Sequence, residues 1–384
     1  IEDEIKRVKP KIIVCMGRHA FDMVADQKIS FKDAHGCWFW SEQYEVHLYV
    51  MHAPYTLVGK PEFYEMFRID FKEVARRQAM LDAGDDITGE QVDFQVIRNE
   101  SDLQDWLSHL EELAAGENTW PGLRDDDGNP LLAVDCEWHG KTHIDGQLRT
   151  IQFAWSDTDA VVIEFRDEQN WFTFDLGELA ILPAKDEADT AKWREGVEET
   201  KDRGEEGEFA MKFVFPQGET NKNGDSVAPQ ASDKALEKQK YAAIGKPLSA
   251  TLNKIKARYI GHHYAADAPW MNHVLGIEIY ERCDLDTEFA QQTCDESSEL
   301  GLERGIAMKY TNLGRYDQEL VMWKRENKKL CEGGYGYIPS SILHPYGVRD
   351  VITPYRAYPL IKRQLQAQQL WDYYKEVFNP FVTD

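Results

Sequence analysis

The chain has 384 residues, enough for two domains and a sizeable core. It carries 44 Lys+Arg against 68 Asp+Glu, a formal net charge of -24; this argues against a protein that coats nucleic acid non-specifically, because phosphate contacts need basic side chains, yet it permits a nuclease that brings its positive charge as carboxylate-held metal ions. No apolar run approaches the ~20 residues that span a bilayer, no signal peptide is visible, and 6 scattered cysteines without a C-x-x-C pair signal neither zinc knuckle nor disulfide framework, so a reducing cytoplasm is expected.

Residues 1–79 read as α/β. Ile1 to Val8 has helical spacing, and Ile12 to Gly17 is a short buried strand closed by glycine. Val46 to Val50 is a second strand, and Pro61 to Gln78 a helix with proline in its first turn. Residues 80–92, polar and bearing two glycines, form a linker and the best domain boundary.

A second α/β unit covers 93–365. Phe94 to Ile97 is a strand, Ser101 caps a helix from Asp102 to Leu113, Leu131 to Val134 is a buried strand, and Thr150 to Trp155 and Ala160 to Phe165 continue an antiparallel series. From about 167 to 245 the pattern degrades into an insertion, with a charged stretch from Asp186 to Glu208 expected to face away from any DNA site and a polar centre from Gly218 to Asp233. Trp171, Phe172, Phe174, Phe213 and Phe215 predict ordered edges packed on the core. Order resumes at Pro247 with a helix from Leu248 to Arg258, the strand Tyr259-Ile260, helices over Ala268 to Val274, Leu285 to Cys294, Leu300 to Met308 and Arg315 to Lys329, and a long helix from about Val348 to Val377.

Three elements carry chemistry. Asp135-Cys136-Glu137 follows an apolar strand, so its two carboxylates point to one face and repel each other unless a cation neutralises them. Asp267 follows Tyr259-Ile260 and the run Gly261 to Ala266; alone it reads equally as a helix N-cap. Tyr346 and Asp350 are spaced i, i+4 and share a helix face, so a phenol stands beside a carboxylate.

In this order, D-x-E, then an Asp past a strand, then Y-x-x-x-D on a late helix, the three resemble the DEDD exonuclease superfamily in its tyrosine-bearing subgroup. Asp286-Thr287 extends the match, and Gly336 to Asp350 is similar to the proofreading domain of phage-type family A DNA polymerases. The resemblance implies an RNase H-like mixed-sheet fold with flanking helices. It implies 3′→5′ phosphodiester hydrolysis with two divalent ions, Mg²⁺ or Mn²⁺, held by Asp135, Glu137, Asp267 and Asp350, with Asp135 bridging and Tyr346 positioning the nucleophile. The expected partner is a single-stranded DNA 3′ end or primer terminus. Residues 366–384 would lead into a polymerase domain of the same parent chain. Trp138 stands where the family often has Thr, and His263 where it often has Asn; both positions contact the terminal nucleotide in the family.

Lys11 to Ala20 and Met51 to Leu57 are similar to the C-terminal half of a uracil-DNA glycosylase, with Arg18, His19 and His52 as relic or DNA-contacting residues and the other half expected before Ile1. Ala53-Pro54 departs from the usual order of that motif. Two other readings stay open: a free-standing RNase D-like exonuclease acting on RNA, which the glycosylase-like segment counts against, and a non-catalytic DNA-holding scaffold, which the intact carboxylates count against.

Overall fold

The computed structural model describes residues 1–26, 28–60, 63–85, 87, 92–115, 119–180 and 231–380. The centre of the expected insertion, including Asp186 to Glu208, Phe213, Phe215 and Gly218 to Gln230, lies outside them.

Two sheets organise these residues. The smaller has β1 (Ile12–Met16), β2 (Trp38–Ser41) and β3 (Val46–Met51) in the order β1-β3-β2, with β1 parallel and β2 antiparallel to β3. The larger holds β4 (Phe94–Ile97), β5 (Leu131–His139), β6 (Gln147–Ala154), β7 (Ala160–Glu164), β8 (Arg258–Gly261) and β9 (Cys283–Asp286) in the order β4-β7-β6-β5-β8-β9. Among these six, β6 alone runs antiparallel to the rest. The run β7-β6-β5-β8-β9, with the second strand of the unit reversed, is the RNase H-like arrangement, and β4 extends its edge.

Side-chain parity along β5 sorts the two faces of this sheet. Leu132, Val134 and Cys136 enter one core with Leu103, Trp106, Leu107 and Leu110 of the helix Glu100–Ala115 and with Leu248 and Leu252 of the helix Ala231–Lys254. Leu131 and Ala133 enter the opposite core, against Val348, Val351, Ile352, Tyr355 and Tyr358 of the helix Ser340–Ala367. Asp135 and Glu137 continue this second parity, so the strand aims them at that long helix.

Several elements differ from the sequence expectation, each for a local reason. β5 continues through Asp135 to His139 because β6 pairs with it as far as His139, across an irregularity between Glu137 and Trp138. Asn99, not Ser101, caps the Glu100–Ala115 helix, its Oδ1 accepting from the Asp102 amide at 2.9 Å. The Phe63–Ala83 helix runs past Gln78. The helix before β8 contains Pro247 rather than starting after it. Cys283–Asp286 is a strand, and Asp286 then caps the helix Thr287–Cys294 by accepting from the Glu288 and Phe289 amides. The long helix starts at Ser340, contains Pro345, Pro354 and Pro359, and ends at Ala367. The expected packing of the insertion edge holds for Phe172 and Phe174, which sit 5.5 Å from the Tyr241 ring and 6.3 Å from the Phe165 ring, while Trp171 is exposed.

The N-terminal segment docks on residues 312–325. Arg315 donates to the His35 carbonyl at 2.6 Å, Gln318 to the Trp38 carbonyl at 2.8 Å, and Arg76 to the Asn312 carbonyl at 3.1 Å. Arg315 is itself held by Asp317 through contacts of 2.7 and 2.8 Å.

Candidate active site

Asp135, Glu137 and Asp350 offer carboxylate oxygens that all lie within 4.8 Å of one another. Glu137 and Asp350 are buried, and Asp135 is half-buried with its Oδ2 enclosed and without a hydrogen-bond partner. Asp267 arrives after β8, and its Oδ1 accepts from the amide of Cys136 at 3.1 Å, between the two β5 acids. The helical turn that follows, Trp270–Val274, has Pro269 at its cap position and no side-chain cap, so Asp267 does not cap it. Burial pushes all four carboxyls well above the ordinary carboxylate range, and negative neighbours add to it: Asp267 and Glu303 at Asp135, Asp135 and Asp350 at Glu137, Asp286 and Asp350 at Asp267, and Asp135 and Glu303 at Asp350. Lys324 opposes this at Glu137. Its ammonium also lies 3.7 Å from the centre of the Tyr335 ring.

Tyr346 and Asp350 are both buried on the sheet-facing side of the long helix. Two features seat that helix. A Cβ at Gly347 would lie 2.6 Å from Gln152 Nε2 on β6, so a larger residue there would have to displace the buried Gln152 side chain. Upstream, Glu164 at the end of β7 accepts from Ser340 Oγ at 2.5 Å, from His344 Nε2 at 2.9 Å and from Arg98 Nε at 2.6 Å. Arg149, fully buried on β6, donates to the Gly336 and Ile338 carbonyls at 3.2 Å each and to Ser340 Oγ at 3.0 Å. Burial pushes the Glu164 carboxyl up, but these hydrogen bonds outweigh it and hold it down at about 2.

The Tyr346 ring is fixed by Tyr335, stacked with centroids 6.2 Å apart, and by Tyr316 at 6.0 Å. Tyr316 donates to Asp350 Oδ1 at 2.6 Å. The Tyr346 hydroxyl donates to Glu303 Oε1 at 3.1 Å.

The structure thus brings Asp135, Glu137, Asp267, Tyr346 and Asp350 together. Trp138 follows Glu137 on β5, stacks on Trp270 at 5.2 Å and packs against the core that holds Leu132, Val134 and Cys136. His263 stands in the left-handed region at φ 56° and contacts Glu288 at 2.8 Å, exposed to solvent. His262 bonds Thr287 at 2.9 Å, and burial holds its imidazole down at about 3, so neither histidine joins the carboxylates. In the N-terminal segment, Arg18 pairs with Asp22 at 2.6 Å on the surface. His19 lies on the same helix, Arg18–Val24. His52 packs among Phe31, His35 and Phe63, where burial lowers its imidazole to about 4.

Sequence reasoning passed over Arg149, Glu164, His344, Glu303, Tyr316 and Lys324. Arg149 and Glu164 had a cue, being charges inside otherwise apolar strands. Glu303, Tyr316 and Lys324 had none, since their approach to the site depends on how the segment between β9 and the long helix folds.

No family model matches the chain, and no curated protein does. Among solved structures, NrnC of Brucella melitensis with bound Mg²⁺ is similar at a TM-score of 0.35 and 12% identity, over 77% of this chain and 92% of that one. The EXO domain of Nibbler from Aedes aegypti is similar at a TM-score of 0.36 and 10% identity, over 77% of this chain and 99% of that one. The catalytic core of RRP6 from Trypanosoma brucei gives a TM-score of 0.39 and 10% identity, over 77% of this chain and 54% of that one. Likeness at this level adds nothing to what the strand order shows.

Proposed function

We propose that this chain is a metal-dependent 3′→5′ exonuclease that removes nucleotides from DNA 3′ ends, the proofreading part of a family A DNA polymerase. The observation that carries the reading is the convergence of Asp135, Glu137 and Asp350 within 4.8 Å, with Asp267 fastened beside them, on an RNase H-like sheet.

The residues fit a divalent pair. Asp135 Oδ2 is a buried acceptor with nothing to accept from. The four acids raise one another's proton affinity, so a site of this composition is unfavourable without positive charge. Hard oxygen donors suit Mg²⁺ or Mn²⁺. In this reading Asp135, Glu137 and Asp350 would hold the ion that serves the nucleophile, and Asp135 and Asp267 would hold the one that serves the leaving group. When bound, such a pair supplies a nucleophile at neutral pH and stabilises the departing 3′ oxygen.

The chain's own residues do the rest. The Tyr346 hydroxyl orients the attacking water in line with the P–O3′ bond, and the aromatic rings of Tyr335 and Tyr316 keep that phenol from turning away. Trp138, stacked on Trp270, offers an apolar face to the terminal nucleotide. Lys324 provides positive charge at the edge of the acid cluster, where a polyanion must approach a protein of net charge -24. Water adds to phosphorus, the P–O3′ bond breaks, and a nucleoside 5′-monophosphate leaves.

DNA and RNA strands of one sequence, digested side by side in Mg²⁺ with the products identified by mass, test the reading. Release of deoxynucleoside 5′-monophosphates from the 3′ end, faster than ribonucleotides, is expected; faster loss of ribonucleotides would move the assignment to an RNase D-like enzyme.

A further inference from the structure

We infer that Glu303 is a positioning residue of this site: it takes the Tyr346 hydroxyl proton, so that the phenol oxygen faces the attacking water as an acceptor and Asp350 keeps its oxygens for cations. The inference rests on the exonuclease reading and adds to it a fifth acid with a different task.

A phenol has one proton to donate. In this structure Glu303 Oε1 accepts that of Tyr346 at 3.1 Å, in competition with the neighbouring Asp350 and the Tyr335 hydroxyl. Asp350 already accepts from Tyr316 at 2.6 Å. A second donor on Asp350 would occupy the lone pairs that a cation needs. Donation to Glu303 leaves those free and turns the remaining lone pairs of Tyr346 towards the space beside Asp350 and Asp135. Because Tyr335 and Tyr316 fix the ring, only the hydroxyl torsion is undecided, and Glu303 decides it.

The placement of Glu303 is built rather than incidental. It sits in a π-helical turn, Leu302–Ala307, in which the Gly305 and Ile306 amides both donate to the Gly301 carbonyl, at 2.7 and 3.2 Å. Such turns are uncommon and cluster at functional sites. Gly305 has no room for a side chain, since a Cβ there would lie 2.0 Å from the Glu299 carbonyl oxygen. Leu302 and Ile306 anchor the turn in the core under the long helix. The wider register swings residue 303 inward from an element that contributes no residue to the D-x-E, Asp267 or Y-x-x-x-D elements.

The test is a double-mutant cycle of Glu303→Gln and Tyr346→Phe, read as kcat and KM on a single-stranded oligonucleotide and, separately, as Mn²⁺ affinity of the full chain by electron paramagnetic resonance. Glu303→Gln should lower kcat by roughly 10–100-fold with KM unchanged, as expected for a group that orients a proton-handling residue. In the Tyr346→Phe background the same change should cost less than about twofold, because the hydroxyl it acts on is gone. Mn²⁺ affinity should be nearly unchanged in all four proteins, since neither Glu303 nor Tyr346 is assigned as a ligand, and this also shows that each is folded at the site. Additive losses of kcat, or Mn²⁺ binding loosened by about tenfold or more in both backgrounds, would make Glu303 a direct ligand and overturn the positioning role alone. A wild-type chain that binds no Mn²⁺ and cleaves nothing would remove the exonuclease reading and this role with it.

Discussion

Asp267 accepts the backbone amide proton of Cys136 at 3.1 Å, and this bond ties the end of β8 to the strand between Asp135 and Glu137. An acid brought from 131 positions away is thereby locked in register with the D-x-E pair. Its second oxygen remains for other work. The long helix supplies Asp350 from the opposite side, so the cluster is assembled by the sheet and the helix together rather than by either one.

This assembly separates the roles of acids and phenol. Tyr346→Phe should slow cleavage by roughly 10–10⁴-fold while divalent cations still bind, the usual range for a group that handles or positions a proton. Single-turnover rates alongside Mn²⁺ titration measure both. A phenylalanine variant that loses the metal would place Tyr346 among the ligands instead.

Like charges held together and buried cost stability when no cation is present. Asp135→Asn should therefore raise the midpoint of thermal unfolding of the metal-free protein by roughly 2–5 °C, and Mn²⁺ should raise that of the wild type more than that of the variant. Calorimetry with and without chelator checks it. A variant less stable than the wild type in chelator would mean that the acids are not in mutual repulsion.

The Glu164 cluster should make the fold acid-sensitive. Its carboxyl lies at about 2 in the folded chain against an ordinary value of 4.5, so its pKa is depressed on folding. A depressed carboxyl contributes stability that is fully present above the ordinary value and lost as pH falls towards the folded one. About 3 kcal/mol should vanish between about pH 4.5 and 2, as the hydrogen bonds of Arg98, Ser340 and His344 and the 3.6 Å ion pair of Arg149 lose the charged carboxylate. Urea unfolding across that window should show a steep slope in the wild type and a shallow one in Glu164→Gln. Equal slopes would relocate the acid-labile group.

No uracil excision is expected from this chain. His52 is half-buried among Phe31, His35 and Phe63, and its lowered imidazole is neutral at pH 7. Abasic sites formed on a uracil-containing duplex above the background of His52→Ala would refute this.

How far the sequence reveals the molecule differs by element. The strands of the larger sheet up to β8 are legible because apolar parity and β-branched residues mark them, and Asp135, Glu137, Tyr346 and Asp350 are legible because i, i+2 and i, i+4 spacing fixes a shared face whatever the tertiary fold. β9 is not: Cys283-Asp284-Leu285-Asp286 carries two acids whose burial depends on distant partners, Asp284 on Lys375 and Tyr358, and Asp286 on the amides of His263 and Tyr264 besides those of the helix it caps. The long helix hides its start because Pro345 argues against continuing it upstream of Val348, and the buried anchors of Ser340 and His344 on Glu164 override that local preference. Glu303 and Tyr316 escape notice because nothing in the spacing of their segment refers to the acids they approach.

The most direct test of the central claim is the digestion of a 5′-labelled single-stranded DNA by the purified chain in Mg²⁺ or Mn²⁺, run beside chelator and beside Asp135→Ala. A ladder of products shortened stepwise from the 3′ end, absent with chelator and absent in the variant, is the predicted result, because a carboxylate proposed to hold both ions would have no substitute. An intact oligonucleotide with a folded wild-type chain, or an equal ladder from Asp135→Ala, would contradict it.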